Sequence, residues 1–237
     1  MIRSAVVFIF LVGISFSAFS QETSRKSTRV NIPGSFLIDI GVNNGLNAPD
    51  NFDTGFWGSR TINLYYQYPF RLWETKFSIV PGAGLGMDRY KLTNNFTLNP
   101  TPGTDGTYAL VNSATLYPGT KKSMIVANYF DVPIELRFDS NPDDISRSFN
   151  VAAGVRGGVL LDAFTKIKYK EDGETKTIKD KQNHGLNDIR YGFYTRIGIG
   201  GFNLFFQYNT SQLFKVDKGP EKTSMNAFTT GISINGF

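Results

Sequence analysis

The feature that most restricts this chain is alternation with a period of two, repeated in eight separate segments. Successive side chains of a strand point to opposite faces, so each segment is a ribbon with two different sides. In residues 189–200 one side reads Ile189, Tyr191, Phe193, Thr195, Ile197 and Ile199. The other reads Arg190, Gly192, Tyr194, Arg196, Gly198 and Gly200. Residues 202–210 set Phe202, Leu204, Phe206 and Tyr208 against Asn203, Phe205, Gln207 and Asn209, and residues 128–138 set Phe130, Val132, Ile134 and Leu136 against Tyr129, Asp131, Glu135 and Arg137. Residues 61–70, 77–88 and 149–162 follow the same rule, with weaker versions at 35–42 and 226–237. Many of these segments reach the ~9–11 residues of a tilted membrane-spanning strand, beyond the ~5–6 usual in soluble sheets. No segment of helical length shows a 3.6-residue period.

The connections sort in a way that supports this reading. Those at about 43–60, 91–122, 165–187 and 212–225 are long, and those at 71–76, 139–148 and 200–201 are short. Long and short alternate strictly. In an up-and-down barrel this gathers the long loops at one end and the tight turns at the other, as outer-membrane barrels do. The expected fold is therefore an all-β, eight-stranded antiparallel up-and-down transmembrane β-barrel.

A soluble lipocalin-like barrel, with its apolar side inward around a ligand, also fits alternating strands. The composition of the polar sides favours the membrane alternative. They carry Arg, Asn, Gln, Asp and many of the 24 glycines, and little Lys or Glu, whereas a water-facing surface is rich in Lys and Glu. Lys concentrates in the long connections. Eight strands leave an interior that side chains fill. That interior is expected to hold Arg137, Arg156, Arg190 and Arg196 facing Asp39, Asp88, Asp131, Glu135 and Asp162. Buried charge is costly unless paired, so these residues are expected to form an ion-pair and hydrogen-bond network that plugs the barrel.

The N-terminus reads as an address. Arg3 precedes an almost wholly apolar run over residues 5–16, and Ala18-Phe19-Ser20 then offers small residues where a signal peptidase cuts. The expected organisation is a secretory signal peptide at 1–20, a periplasmic segment at 21–33 and the barrel at 34–237. Localisation is expected in the outer membrane of a Gram-negative bacterium, after cleavage near Ser20. No later segment has 18 consecutive apolar residues, and the mean hydropathy of −0.20 is too polar for a helical membrane bundle. With no Cys, the chain lacks disulfides, cysteine-ligated metal sites, a cysteine nucleophile and a lipid-modified cysteine. The formal net charge of +5 is mild and dispersed, so no nucleic-acid partner is expected.

Three local motifs stand out: Tyr129-Phe130-Asp131-Val132-Pro133-Ile134-Glu135-Leu136-Arg137-Phe138, Val151-Ala152-Ala153-Gly154-Val155-Arg156-Gly157-Gly158 and Pro81-Gly82-Ala83-Gly84-Leu85-Gly86. Through these motifs the chain resembles the PorT-family outer-membrane β-barrel proteins of the Bacteroidetes type, over about residues 34–237. The resemblance implies barrel architecture more than activity. Its name implies a link to protein secretion, and a secretion or cell-envelope partner is left unidentified. Barrel-assembly machinery reads a terminal aromatic, here Phe237, although Phe237 is out of register with Phe228, Ile232 and Ile234 of its own strand.

Chemistry-bearing motifs are few. There is no HExxH, GxSxG or P-loop pattern, and no cofactor or metal is expected. The sole histidine, His184, would have to be the base of any lipid-modifying hydrolase. Its polar surroundings read instead as a solvated loop, and no catalytic residue is assigned. Lys166, Lys168 and Lys170 alternate with Ile167 and Tyr169 before the Asp172-Gly173 turn signal, as in a hairpin projecting beyond the membrane. These lysines are candidate contacts for lipopolysaccharide phosphates, with outer-membrane lipid as the surrounding partner. Tyr65, Tyr66, Tyr68, Trp73, Tyr90 and Tyr169 fit interfacial aromatic girdles. The expected role is a non-enzymatic barrel acting structurally or through its outward loops.

Overall fold

The structure is a computed structural model that describes residues 34–236. The expected leader, the periplasmic segment and Phe237 lie outside the described residues. Eight long strands form the wall: β1 (Ser35–Leu46), β2 (Arg60–Gln67), β3 (Phe77–Leu92), β4 (Thr120–Asp139), β5 (Phe149–Glu171), β6 (Ile189–Ile199), β7 (Phe202–Gln212) and β8 (Asn226–Asn235). Each pairs antiparallel with the next, and β8 returns to β1 through the Asp39↔Ser233 and Ile40↔Ile232 pairs. The ring is closed, so no sheet edge meets lipid. Smaller pieces add to it: Phe70–Arg71 pairs with β3, Phe96–Leu98 pairs with Leu110–Asn112, and Glu174–Asp180 folds back as an arm on the end of β5.

Exposure shows which side faces out. On β4, Phe130, Val132, Ile134 and Leu136 are 41%, 45%, 46% and 49% exposed, while Asp131 and Glu135 between them are 0% and 1% exposed. The same holds for Leu64, Leu85, Val155, Phe193 and Leu204, all of which point outward. Apolar residues therefore clothe the wall and polar residues fill it, the arrangement that hydrocarbon outside demands.

Strands β3, β4 and β5 are 16, 20 and 23 residues long, well past what a membrane needs. Their excess lies at the end that carries the long connections. There the polarity of the wall inverts. On β3 the outward Leu85 and Met87 give way to Arg89 and Lys91, and the inward Gly86 and Asp88 give way to Tyr90 and Leu92. On β4 the outward side becomes Lys122 and the inward side becomes Ile125 and Ala127.

On β5 a one-residue bulge accompanies the change: Asn128 pairs with Asp162 and Tyr129 with Leu160, which leaves Leu161 without a partner. A bulge of one residue exchanges the two faces of everything that follows. Asp162, expected among the lumen charges, is consequently turned outward and exposed. Parity counted from Arg156 fails at that step.

Candidate functional site

The lumen holds most of its charges in two tiers, each pairing two arginines with two carboxylates, and Asp139 is buried one step beyond Arg137 toward the short turns. The tier nearer the long connections joins Arg156 and Arg190 to Asp88 and Asp131. Arg190 donates through Nη1 to Asp88 Oδ2 at 2.6 Å, and in a fork through Nε to Asp131 Oδ1 at 2.9 Å and Nη2 to Asp131 Oδ2 at 2.5 Å. Such a planar two-point fit is what Arg offers and Lys does not. The Tyr65 hydroxyl donates to Asp131 Oδ2 at 2.7 Å, and Arg156 donates to Asn209 Oδ1 at 2.9 Å. The Arg190 guanidinium lies 3.9 Å from the centre of the Tyr129 ring, and Thr61 donates to Asp88 Oδ1 at 2.6 Å.

The second tier, nearer the short turns, joins Arg137 and Arg196 to Asp39 and Glu135. Arg196 bonds Glu135 Oε2 and reaches Asp39 Oδ2 at 3.0 Å, so one guanidinium bridges β1 and β4 across the interior. Arg137 donates to Glu135 Oε1 at 2.6 Å, and Ser233 and Asn63 complete the shell of Asp39 at 2.5 and 3.2 Å. Below Arg137, among the described residues, Tyr68, Pro69, Gly201 and Asn235 help to bound a vestibule of about 540 Å³ at the short-turn end.

Glycine makes room for these groups. A Cβ on Gly86 would lie 2.0 Å from Arg190 Nη2 and 2.4 Å from Asp131 Oδ2, and one on Gly158 would lie 2.0 Å from Asp131 Oδ1. The glycine-rich polar faces read in the sequence are the clearance around the upper tier. Tyr65 and Tyr90, expected in an outer aromatic girdle, are buried inside. Tyr65 shares the inward parity of Asn63 and Gln67, which was the available signal. Trp73 and Tyr68 are exposed.

Above the upper tier sits an apolar cap. Phe52, Leu98, Leu186, Phe214 and Met225 come from the four long connections and join Tyr90, Leu92, Ile125 and Tyr129 of the wall in one buried cluster. The connections also bond one another. Tyr108 N donates to Lys218 O at 2.9 Å, Gln182 Nε2 to Pro100 O at 2.7 Å, and Asn187 N to Leu213 O at 2.9 Å.

His184 belongs to this cap and is fully buried, not solvated as its polar neighbours suggest. Its Nδ1 lies 2.7 Å from Gln182 O and its Nε2 3.1 Å from Asp180 Oδ2, and Tyr108 stacks edge-on at 5.7 Å. Both ring nitrogens are engaged within the cap. A hydrolytic base needs one of them directed at a nucleophile. Lys166 and Lys168 lie on the outward face of β5 with part of each side chain covered, and Lys170 continues that face toward the exposed tip of the arm.

A model of the outer membrane protein beta-barrel domain matches residues 8–214. No curated protein matches the chain. Among solved structures, the chain is similar to Ail, the attachment invasion locus protein of Yersinia pestis, at 13% identity and a TM-score of 0.34, covering 86% of this chain and 100% of that one. It is also similar to Neisserial surface protein A, NspA, at 11% identity and a TM-score of 0.33, covering 85% of this chain and 96% of that one.

Proposed function

We propose a role that starts from the family to which the chain belongs, that of the outer membrane protein beta-barrel domain: a non-conducting barrel that holds a folded cap at the outer face of the membrane as a binding platform. The observation that carries it is the filling of the interior. Two tiers of paired charges span the ring, and the apolar cap closes it above them. An ion crossing this path would have to break buried charge-assisted bonds, each with a large desolvation cost.

The cap supports the second half of the proposal. Its connections are tied to one another and to the wall, so a partner would meet a largely preordered surface, which lowers the entropy lost on binding. The family match supports the barrel and its membrane. It does not reach the narrower PorT group, so secretion forms no part of the role proposed. Reconstitution of the purified full chain in planar bilayers tests the reading. The expected record shows no stable conductance steps, and large stepwise channels would overturn it.

A further inference from the structure

The outward face of the wall just above its apolar belt carries like charges set directly against one another. Arg60 of β2 opposes Arg89 of β3, Lys122 of β4 opposes Lys168 of β5, and Lys166 of β5 opposes Lys179 of the arm. Directly opposed residues share a face at about 4.5–5.5 Å between Cβ atoms, and like charges there destabilise a sheet. Lys91 lies on the same face between the first two pairs, opposite Met124. Among the described residues no carboxylate within 4.0 Å of an ammonium or guanidinium group relieves these seven cations.

Among the described residues, the bulge-displaced Asp162 is the one carboxylate on this outward face, one step below Phe164. Burial, and repulsion from Lys91, Lys168, Lys166 and Arg60, lowers the pKa of the Lys122 ammonium from the ordinary lysine value. The cluster is thus a concentrated and unanswered positive field.

Its position says what answers it. Arg60 follows the lipid-facing Ile62 and Leu64 by one step on β2, and Arg89 follows Leu85 and Met87 on β3. Met124, Val126 and Phe164 thread apolar contacts between the cations, and Lys179 lies 5.5 Å over the Phe164 ring. Phe56 and Trp57 stand exposed beside Arg60, whose Nε donates to Trp57 O at 3.0 Å. Cations, interfacial aromatics and a hydrocarbon belt in contiguous order form the surface that an anchored anionic headgroup fits. We propose that the outward face of β2–β5 and the arm binds the phosphates of the outer-leaflet glycolipid, lipopolysaccharide, with its acyl chains against the belt below. Each phosphate would lie between two opposed cations and turn a repulsive pair into a charge-assisted bridge.

The test uses the full-length barrel in phosphatidylethanolamine nanodiscs titrated with purified lipopolysaccharide. The triple variant Arg89→Gln, Lys122→Gln, Lys168→Gln should bind about 100-fold more weakly, at roughly a factor of five for each cation near a charged surface. Lys122→Arg with Lys168→Arg should retain binding. In detergent free of lipopolysaccharide the triple variant should be as stable as wild type or more so, because it removes repulsion. Equal affinity of wild type and triple variant would overturn the proposal, as would undiminished binding of the enzymatically dephosphorylated glycolipid. Competition by inorganic phosphate at the same concentration as the lipopolysaccharide would overturn the lipid assignment, leaving a site for soluble anions.

Discussion

The belt and the cap are two cores inside one ring, built on opposite rules. Within the belt the wall touches hydrocarbon, so apolar side chains go outward, and Asp39, Asp88, Asp131 and Glu135 go inward with their arginines. Above it the wall touches water, so Arg89, Lys91 and Lys122 go outward, and Tyr90, Leu92 and Ile125 go inward. The strands do not change; the solvent outside them does. A single strand such as β3 carries both rules in succession, which shows that amphipathic sense is set by the medium at each height. The two cores should therefore fail differently when damaged.

The largest effect is expected in the belt. Arg190→Ala leaves Asp88 and Asp131 buried with too little positive charge, which costs about 3–5 kcal/mol. Urea unfolding in detergent should show it as a loss of the whole barrel, seen also in heat-modifiable gel migration. A substitution in the cap should cost less of the barrel. Leu186→Ala removes a fully buried side chain and is expected to cost about 2–4 kcal/mol. Its signature is faster proteolytic cutting of the long connections while the membrane-embedded ring survives. If Leu186→Ala melted the ring as completely as Arg190→Ala, the two cores would be one unit.

Smaller changes sharpen the comparison. Gly158→Ala places a Cβ against Asp131 and should cost about 1–3 kcal/mol by overcrowding the upper tier. Gly157→Ala, whose added atom meets nothing within 4 Å, should be close to neutral. The smallest effect belongs to the cap's rim. Thr107 N donates to Asp105 Oδ1 at 3.0 Å, and with Lys222 nearby this lowers the Asp105 pKa from its ordinary 3.8 to about 2. A carboxyl with a depressed pKa contributes stability above its ordinary value and loses it as pH falls toward about 2. The chemical shift of the Thr107 amide should report that titration, and Asp105→Asn should abolish it.

Much of the belt was legible in the sequence because one medium lies outside it. The faces of β2, β6 and β7 follow strict parity, so Arg190, Arg196, Asn63 and Gln67 fall inward by counting alone. Counting failed where the rule changed. The upper parts of β4 and β5 read as connection because Lys122, Lys166 and Lys168 no longer alternate in the belt's sense. Asp162 was misplaced because a bulge at Leu161 leaves no mark in the residues around it. The cap was hidden for another reason. Phe52, Leu98, Leu186 and Phe214 are single apolar residues in separate connections, brought together only when the ring closes.

The reversal of sidedness along one strand is open to direct measurement, since a chain without cysteine accepts single spin labels cleanly. Labels placed one at a time from 122 to 136 on β4, in lipid bilayers, can be tested for collision with oxygen dissolved in lipid and with a water-soluble nickel chelate. Positions 130, 132, 134 and 136 should respond to oxygen, position 122 to nickel, and positions 131 and 135 to neither. Strong oxygen collision at 131 and 135, with 130 and 132 shielded, would contradict the account.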